Sequence, residues 1–130
     1  MQDAPRLYPI LRFADPDAMI GWLTSALGFS TRAIYRDEAG GVRHAELMLG
    51  PSILMVGTAQ DGTVGNGLPP YVAVDDADAL HGRLAAAGTV IVDPLKDTDY
   101  GSRDFSCRDP EGNLWYFGTY RPSPSDTAGT

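Results

Sequence analysis

Tyr100-Gly-Ser-Arg-Asp-Phe-Ser-Cys-Arg-Asp-Pro-Glu-Gly-Asn-Leu-Trp-Tyr-Phe-Gly-Thr119 decides how this chain of 130 residues folds. It reads as two β-strands joined by a tight turn. In Asp109-Pro-Glu-Gly-Asn113, Pro110 fixes φ at the first corner and Gly112 supplies the positive φ needed at the exit. Residues 105–108 and 114–117 flank the turn, rich in aromatic side chains and able to pair antiparallel.

Working outward, the ending has an earlier echo. Leu54-Met-Val-Gly-Thr58 matches Trp115-Tyr-Phe-Gly-Thr119, so that Met55 and Tyr116 correspond at an offset of 61 residues. The same offset pairs Asp17, Ala18, Met19, Gly21 and Leu23 with Asp78, Ala79, Leu80, Gly82 and Leu84. Self-similarity of this kind fixes architecture: one supersecondary unit is used twice.

Each copy can be followed along the chain. Residues 7–13 form a first strand, with Pro9 favouring a sheet edge or the strand's beginning. Asp15 then caps a helix that has Pro16 at its first position. Met19, Trp22, Leu23, Ala26 and Leu27 make one apolar stripe along it, and Gly28 closes it. Strands follow at 29–36, 42–49 and 52–57, with turns at 38–41 and 50–51. Residues 59–67 hold three glycines and read as a linker. The second copy has a strand at 69–74 and a helix capped by Asp76, with Ala77, Leu80, Leu84 and Ala87 inward and Gly88 at its end. A strand at 89–95, a polar loop at 96–100 and the opening hairpin complete it. Residues 121–130 are polar and are expected to form a disordered tail.

The chain is therefore an α+β protein of two tandem βαβββ modules, about residues 6–58 and 68–120, within one domain spanning 1–120. Each four-stranded mixed sheet puts one face on its helix and leaves the other free. Two such faces are expected to form a half-open trough for a small ligand.

Composition narrows the partners. An apolar fraction of 43% suffices for a core, and a net charge of −7 argues against nucleic acid or an anionic membrane. No apolar run approaches a membrane span, and Met1-Gln-Asp-Ala-Pro-Arg6 lacks a signal peptide's basic start, so a cytoplasmic location is expected. Cys107 is the one cysteine and reads as a small apolar strand residue in a reducing compartment, not as a nucleophile.

The doubled βαβββ plan ending in Asp109-Pro-Glu-Gly-Asn113 and an aromatic strand resembles the vicinal oxygen chelate superfamily, which includes glyoxalase I, extradiol dioxygenases and fosfomycin- and bleomycin-resistance proteins. Tyr100-Gly-Ser-Arg103 further resembles the bacterial glyoxalase or bleomycin-resistance-like subgroup, and the resemblance covers residues 6–120. It implies a divalent metal held by His and Glu from the first and last strand of each module. In this chain those positions fall on Tyr8, Met55, Pro69 and Tyr116. Proline has no donor, a thioether is too soft for Mg, Mn or Fe, and neutral tyrosine seldom serves. His44 and Glu46 share a strand face but are too few for a closed set, and His81 falls on the second helix, at its solvated edge. No metal and no cofactor is expected.

Strand alternation sorts the side chains. With Met55 on the free face, Ile53 and Gly57 accompany it, while Leu54 and Val56 face the helix. Leu114, Tyr116 and Gly118 are likewise free, and Trp115 and Phe117 pack inward. Tyr8, Ile10 and Arg12 come from the first strand, His44, Glu46 and Met48 from the third, and Asp104 and Ser106 from the hairpin. Such a floor is apolar and aromatic with few polar groups, suited to a flat organic molecule. Trp22 reads as packing, Met48 and Met55 read equally as gap fillers, Arg103/Asp104 reads as a surface pair of little weight, and Arg36 and Asp37 read as a solvated strand end. Three functions follow in rank. First is a metal-independent binder that sequesters a hydrophobic or aromatic compound, as the superfamily's drug-resistance members do. Next come a glyoxalase-like or dioxygenase-type enzyme with an atypical site, using Glu46, His44 or Asp104, and a metabolite-binding accessory or regulatory module. A wide apolar floor on a small acidic protein further implies a homodimer.

Overall fold

A computed structural model describes residues 5–60 and 67–124. The middle of the expected linker, 61–66, and most of the expected tail, 125–130, lie outside the described residues. The elements run β1 (Ile10–Phe13), α1 (Pro16–Ser25), β2 (Ser30–Arg36), β3 (Val42–Leu49), β4 (Ser52–Thr58), β5 (Tyr71–Ala73), α2 (Ala77–Ala86), β6 (Lys96–Asp97), β7 (Arg103–Arg108) and β8 (Leu114–Gly118). They divide into two compact units, Met1–Leu68 with Pro110–Asn113, and Pro69–Asp109 with Leu114–Thr130.

The first unit holds a four-stranded sheet ordered β1-β4-β3-β2, and the second holds one ordered β5-β8-β7-β6. In each, the first strand runs parallel to the last, with Ile10 opposite Met55 and Tyr71 opposite Tyr116. The other pairings are antiparallel. The repeat offset carries one register onto the other and α1 onto α2. It also carries the caps: Asp15 accepts from the Ala18 amide at 3.1 Å and Asp76 from the Ala79 amide at 3.0 Å.

The helices are shorter than the apolar stripes read for them. α1 buries Pro16, Met19, Ile20 and Leu23. Ala26 and Leu27 lie beyond its last residue and are only partly covered, as is Trp22. α2 buries Ala77, Leu80 and Leu84, whereas Ala87 is exposed at the C-cap, where the chain leaves the helix. Gly28, at φ 80°, turns the chain out of α1, and the Phe29 amide returns to the Leu23 carbonyl at 3.0 Å.

Three strand boundaries also move, each beside a proline. β1 starts at Ile10, just after Pro9, whose carbonyl still accepts from the Met55 amide at 3.0 Å. β5 is cut to Tyr71–Ala73 behind Pro69 and Pro70. The expected strand at 89–95 is not continuous. Val90, Val92 and Asp93 bond along β7, then Pro94 interrupts, and pairing resumes at β6 inside the expected polar loop. Proline lacks the N–H that a ladder needs, so an edge strand breaks there.

Packing follows the alternation. Leu11, Phe13, Val42, Ala45, Leu47, Leu54 and Val56 are buried in the first unit, and Phe105, Cys107, Trp115 and Phe117 in the second. Phe117 stacks between Phe105, at 5.1 Å, and Trp115, at 6.4 Å. The Trp115 indole N–H donates to the buried Asp109 carboxylate at 2.9 Å, giving its one polar atom a partner. Burial pushes the Cys107 thiol up to about 11, so it stays protonated. His81 is not merely solvated: its ring meets Phe105 edge-on at 5.2 Å.

One ion pair differs from expectation. Arg103 binds Asp78 at 3.1 Å rather than its neighbour Asp104, and Arg36, at its strand end, binds Asp17 at 2.8 Å. Successive strand residues point to opposite faces, so adjacent charges cannot meet. Asp17 and Asp78 are repeat equivalents, and each ties the first turn of its helix to its own sheet. Glu111 of the Asp109–Asn113 turn, grouped with the first unit, accepts from the Ala14 and Asp15 amides at 2.8 and 2.7 Å. It thereby satisfies backbone donors where β1 leads into α1.

Candidate functional site

The side chains on the face of each sheet away from its core are the candidates. In the first unit Tyr8, Ile10 and Arg12 are exposed, and His44, Glu46, Met48, Ile53 and Met55 are half-buried. Register groups them: Ile10 and Glu46 flank Met55, Met48 lies opposite Ile53, and Arg12 lies opposite Gly57. Tyr8 precedes β1, and its hydroxyl donates to the Pro5 carbonyl at 2.8 Å.

A polar chain crosses this apolar surface. His44 Nε2 lies 2.9 Å from Glu46 Oε2, and the guanidinium of Arg32 pairs with Glu46 Oε1. The Tyr35 ring stacks on His44 at 5.9 Å with 23° between the planes. Two register shifts create the arrangement. Thr31 pairs with Leu47 and Ala33 with Glu46, so Arg32 is an extra residue in β2. Tyr35 pairs with His44 and Arg36 with Val42, so Arg43 is an extra residue in β3. Bulges re-aim side chains, and these two flank Glu46 on either side. The bond from His44 and the charge of Arg32 hold the Glu46 carboxyl below its ordinary range.

The second unit resolves its polar positions differently. Asp104 receives the hydroxyl of Tyr100 at 3.1 Å and that of Ser102. Ser106 is fully buried, and its hydroxyl donates to the Asp93 carboxylate at 2.5 Å. The Tyr71 hydroxyl donates to the Tyr120 carbonyl at 2.7 Å, and the Tyr100 and Tyr120 rings meet edge-on at 5.5 Å. Burial raises the Tyr71 phenol, and the bond to Asp104 raises that of Tyr100. Tyr116 stands beside Tyr71 in register, and Leu114 lies at the start of β8 opposite Arg108. Sequence reasoning missed Tyr71, Tyr100 and Tyr120. Applying the repeat to Ile10 would have found Tyr71.

The register sets other residues beside two of the four inherited metal positions. Met55 faces Ile10 and Tyr116 faces Tyr71, each two residues on from Tyr8 and Pro69. Isoleucine supplies no donor, and the Tyr71 hydroxyl is already given to a carbonyl. Among the described residues no three His, Cys, Asp or Glu side chains gather where they could hold a metal ion. His44 and Glu46 come nearest, but the Arg32 guanidinium occupies the carboxylate that a cation would need. This donor set does not fit the divalent metal the superfamily's enzymes use. Nor is any helix among the described residues long and apolar enough to cross a membrane.

Known proteins resemble the chain along nearly its whole length. TioX from Micromonospora sp. ML1 is 35% identical, with 90% of this chain and 99% of that one covered and a TM-score of 0.75. TnmS3, an antibiotic binding protein from Streptomyces sp. CB03234, is 21% identical, with coverage of 90% and 96% and a TM-score of 0.71. A superfamily member from Sphaerobacter thermophilus is 18% identical, with coverage of 89% and 97% and a TM-score of 0.70. The last two establish likeness of fold. No curated protein matches the chain significantly. The family model of the Glyoxalase/Bleomycin resistance protein/Dioxygenase superfamily matches residues 7–117, and the chain belongs to that superfamily.

Proposed function

We propose that this protein binds and sequesters a hydrophobic or aromatic small molecule, of the antibiotic class, without a metal ion. The observation that carries the reading is the make-up of the open sheet faces. Tyr8, Ile10, Met48, Ile53 and Met55 in the first unit, and Tyr71, Leu114 and Tyr116 in the second, offer apolar and aromatic surface. Polar groups there are few, and their donor set suits hydrogen bonding better than metal coordination. Relatives support the class of ligand: TnmS3 is an antibiotic binding protein of this fold. Exposed tyrosines combine a flat apolar ring with a hydroxyl, a frequent choice where a planar ligand is held.

The test is a thermal-shift screen of the purified protein against aromatic natural products, aldehydes and divalent metals, followed by calorimetric titration. A ligand that binds only the native state raises the melting temperature. The reading expects stabilisation by aromatic compounds and none by metals. One equivalent of tightly held Zn, Ni, Mn or Fe in protein prepared without chelator would overturn it. The same faces make a homodimer the proposed form, because a second copy removes apolar surface from water. Light scattering that returns a monomer mass over a wide concentration range would overturn the dimer.

A further inference from the structure

We infer that His44, oriented by Glu46, is the hydrogen-bond acceptor that selects aromatic ligands carrying an acidic hydroxyl. The inference rests on the proposed binding face and names the chemistry it recognises. A carboxylate can only accept, so the nitrogen facing Glu46 Oε2 at 2.9 Å must carry the proton. In the neutral ring that leaves Nδ1 as a bare acceptor. Among the described residues Nδ1 has no hydrogen-bond partner, since His44 otherwise makes only its ring contact with Tyr35.

The surroundings favour this role. Glu46 is held ionised by Arg32 on its other oxygen, so the chain Arg32–Glu46–His44 fixes both tautomer and ring plane. Tyr35 covers one ring face, which limits rotation. Of the charged or titratable groups nearby, Glu46 bonds His44 and Tyr35 stacks on it, Arg32 reaches it only through Glu46, Arg43 is its neighbour at the bulge, and Arg12 lies on β1 opposite Gly57. Met55 lies directly opposite Glu46 and gives the apolar surface on which a ring would rest. The repeat sharpens the point. In the second unit, the hairpin residues at the matching register are Asp104 and Ser106, and both spend their polar atoms within the unit. Among the described residues, His44 is the one of these register-matched side chains with a ring nitrogen left without a partner.

A bound phenol would donate its O–H to Nδ1. If the proton moves, the O–H bond breaks, an Nδ1–H bond forms, and the resulting imidazolium sits against Glu46 with the phenolate beside it. No oxidant, reductant or leaving group is involved.

The test measures dissociation constants by fluorescence for two probe pairs, umbelliferone and naphthol, each against its own methyl ether, which cannot donate. The wild-type protein should hold each hydroxylated probe roughly tenfold tighter than its ether, the worth of one hydrogen bond to a good acceptor. His44→Phe should erase that ratio, whatever it does to the affinity the hydroxylated probe and its ether share. Glu46→Gln should shrink the ratio, since a purely structural role would change the affinity for hydroxylated probe and ether alike. Circular dichroism melts of both variants confirm that they are folded. Equal affinity for hydroxyl and ether in the wild type, or a ratio that survives His44→Phe, overturns the inference and leaves aromatic binding standing. Failure of all four probes to bind overturns the binding face together with the inference.

Discussion

The first unit builds its sheet from long strands: β2, β3 and β4 have seven, eight and seven residues. The second manages with three in β5, two in β6, six in β7 and five in β8. Both share the order, the parallel first-to-last pairing and the aspartate-capped helix. They differ in what each does with its open face. Long strands in the first unit tolerate two bulges, and the bulges bring Arg32 and His44 to Glu46. The second unit has a proline-broken edge, which it ties down by passing Asp93 to Ser106 and Ser102 and Tyr100 to Asp104. The two units share one frame, but the polar groups of the face serve differently: in the second they brace the edge, and in the first they form a side-chain chain around Glu46.

The largest test of that separation lies in the cores. Trp115 is 1% exposed, stacks on Phe117 and bonds Asp109, so Trp115→Ala should cost about 3–5 kcal/mol of stability. Its repeat equivalent Leu54 is 5% exposed and has no polar bond to lose, so Leu54→Ala should fall nearer the low end of about 2–5 kcal/mol. Denaturant melts of the two variants decide the order.

Next come the glycines that end β8 and, in the first unit, stand one residue before the end of β4. A Cβ added at Gly118 would lie 2.6 Å from the Tyr71 hydroxyl and closer still to Asp104, side chains already fixed by hydrogen bonds. Gly118→Ala should therefore cost about 1–3 kcal/mol as overpacking. A Cβ at Gly57 would meet only the Arg43 carbonyl oxygen at 3.7 Å and the Arg12 side chain at 4.0 Å, ordinary contacts. Gly57→Ala should leave the melt within about 0.5 kcal/mol of the wild type. Equal effects from the two would show that the faces are less different than their bonds suggest.

Binding should separate from stability. Tyr8 and Tyr116 are 37% and 39% exposed and lie away from the buried rings. Replacing both by alanine should weaken an aromatic ligand found by screening by roughly tenfold, about 1.4 kcal/mol, with little change in the melt. If this double variant unfolds early while Trp115→Ala stays folded and loses the ligand, the two sheet faces have been exchanged.

How much of this was legible in the sequence depends on the period of each signal. The Asp109–Asn113 turn, the repeat offset and strand alternation are local or periodic, and they lead directly to two helices, two mixed sheets and the burial of Leu54, Val56, Trp115 and Phe117. Bulges have no period. One extra residue at Arg32 and another at Arg43 cannot be read from alternation, so the Arg32–Glu46–His44 chain stayed hidden although His44 and Glu46 themselves were candidates. The role of Glu111, reaching back to Ala14 and Asp15 across some ninety-six residues, is likewise long-range and leaves no local mark. Tyr71 escaped because the first strand of each unit was aligned on Tyr8 and Pro69, whereas the parallel pairing sets Ile10 and Tyr71 opposite Met55 and Tyr116.

The smallest expected effect distinguishes the two helix-to-sheet ion pairs. Hydrogen bonds from Arg36 hold the Asp17 carboxyl below its ordinary value. A carboxylate with a lowered folded-state pKa contributes stability that is complete above the unfolded pKa and is lost as pH falls through the folded one. Asp17→Asn should therefore lower the melting temperature slightly at neutral pH, and the difference from wild type should vanish in strong acid. Exposure limits its size, since the side chains of Arg36 and Asp17 are 42% and 58% exposed, and added salt should shrink it further. Asp78→Asn should do less still. Arg103 also lies 3.4 Å from Asp97, so it keeps a partner when Asp78 is neutralised, whereas Arg36 has Asp17 as the one carboxylate it is paired with among the described residues. Melting curves of both variants across acid and neutral pH, at low and high salt, test the ordering. A larger loss from Asp78→Asn would mean that the second unit, with its shorter strands, depends more on its surface pair than the first.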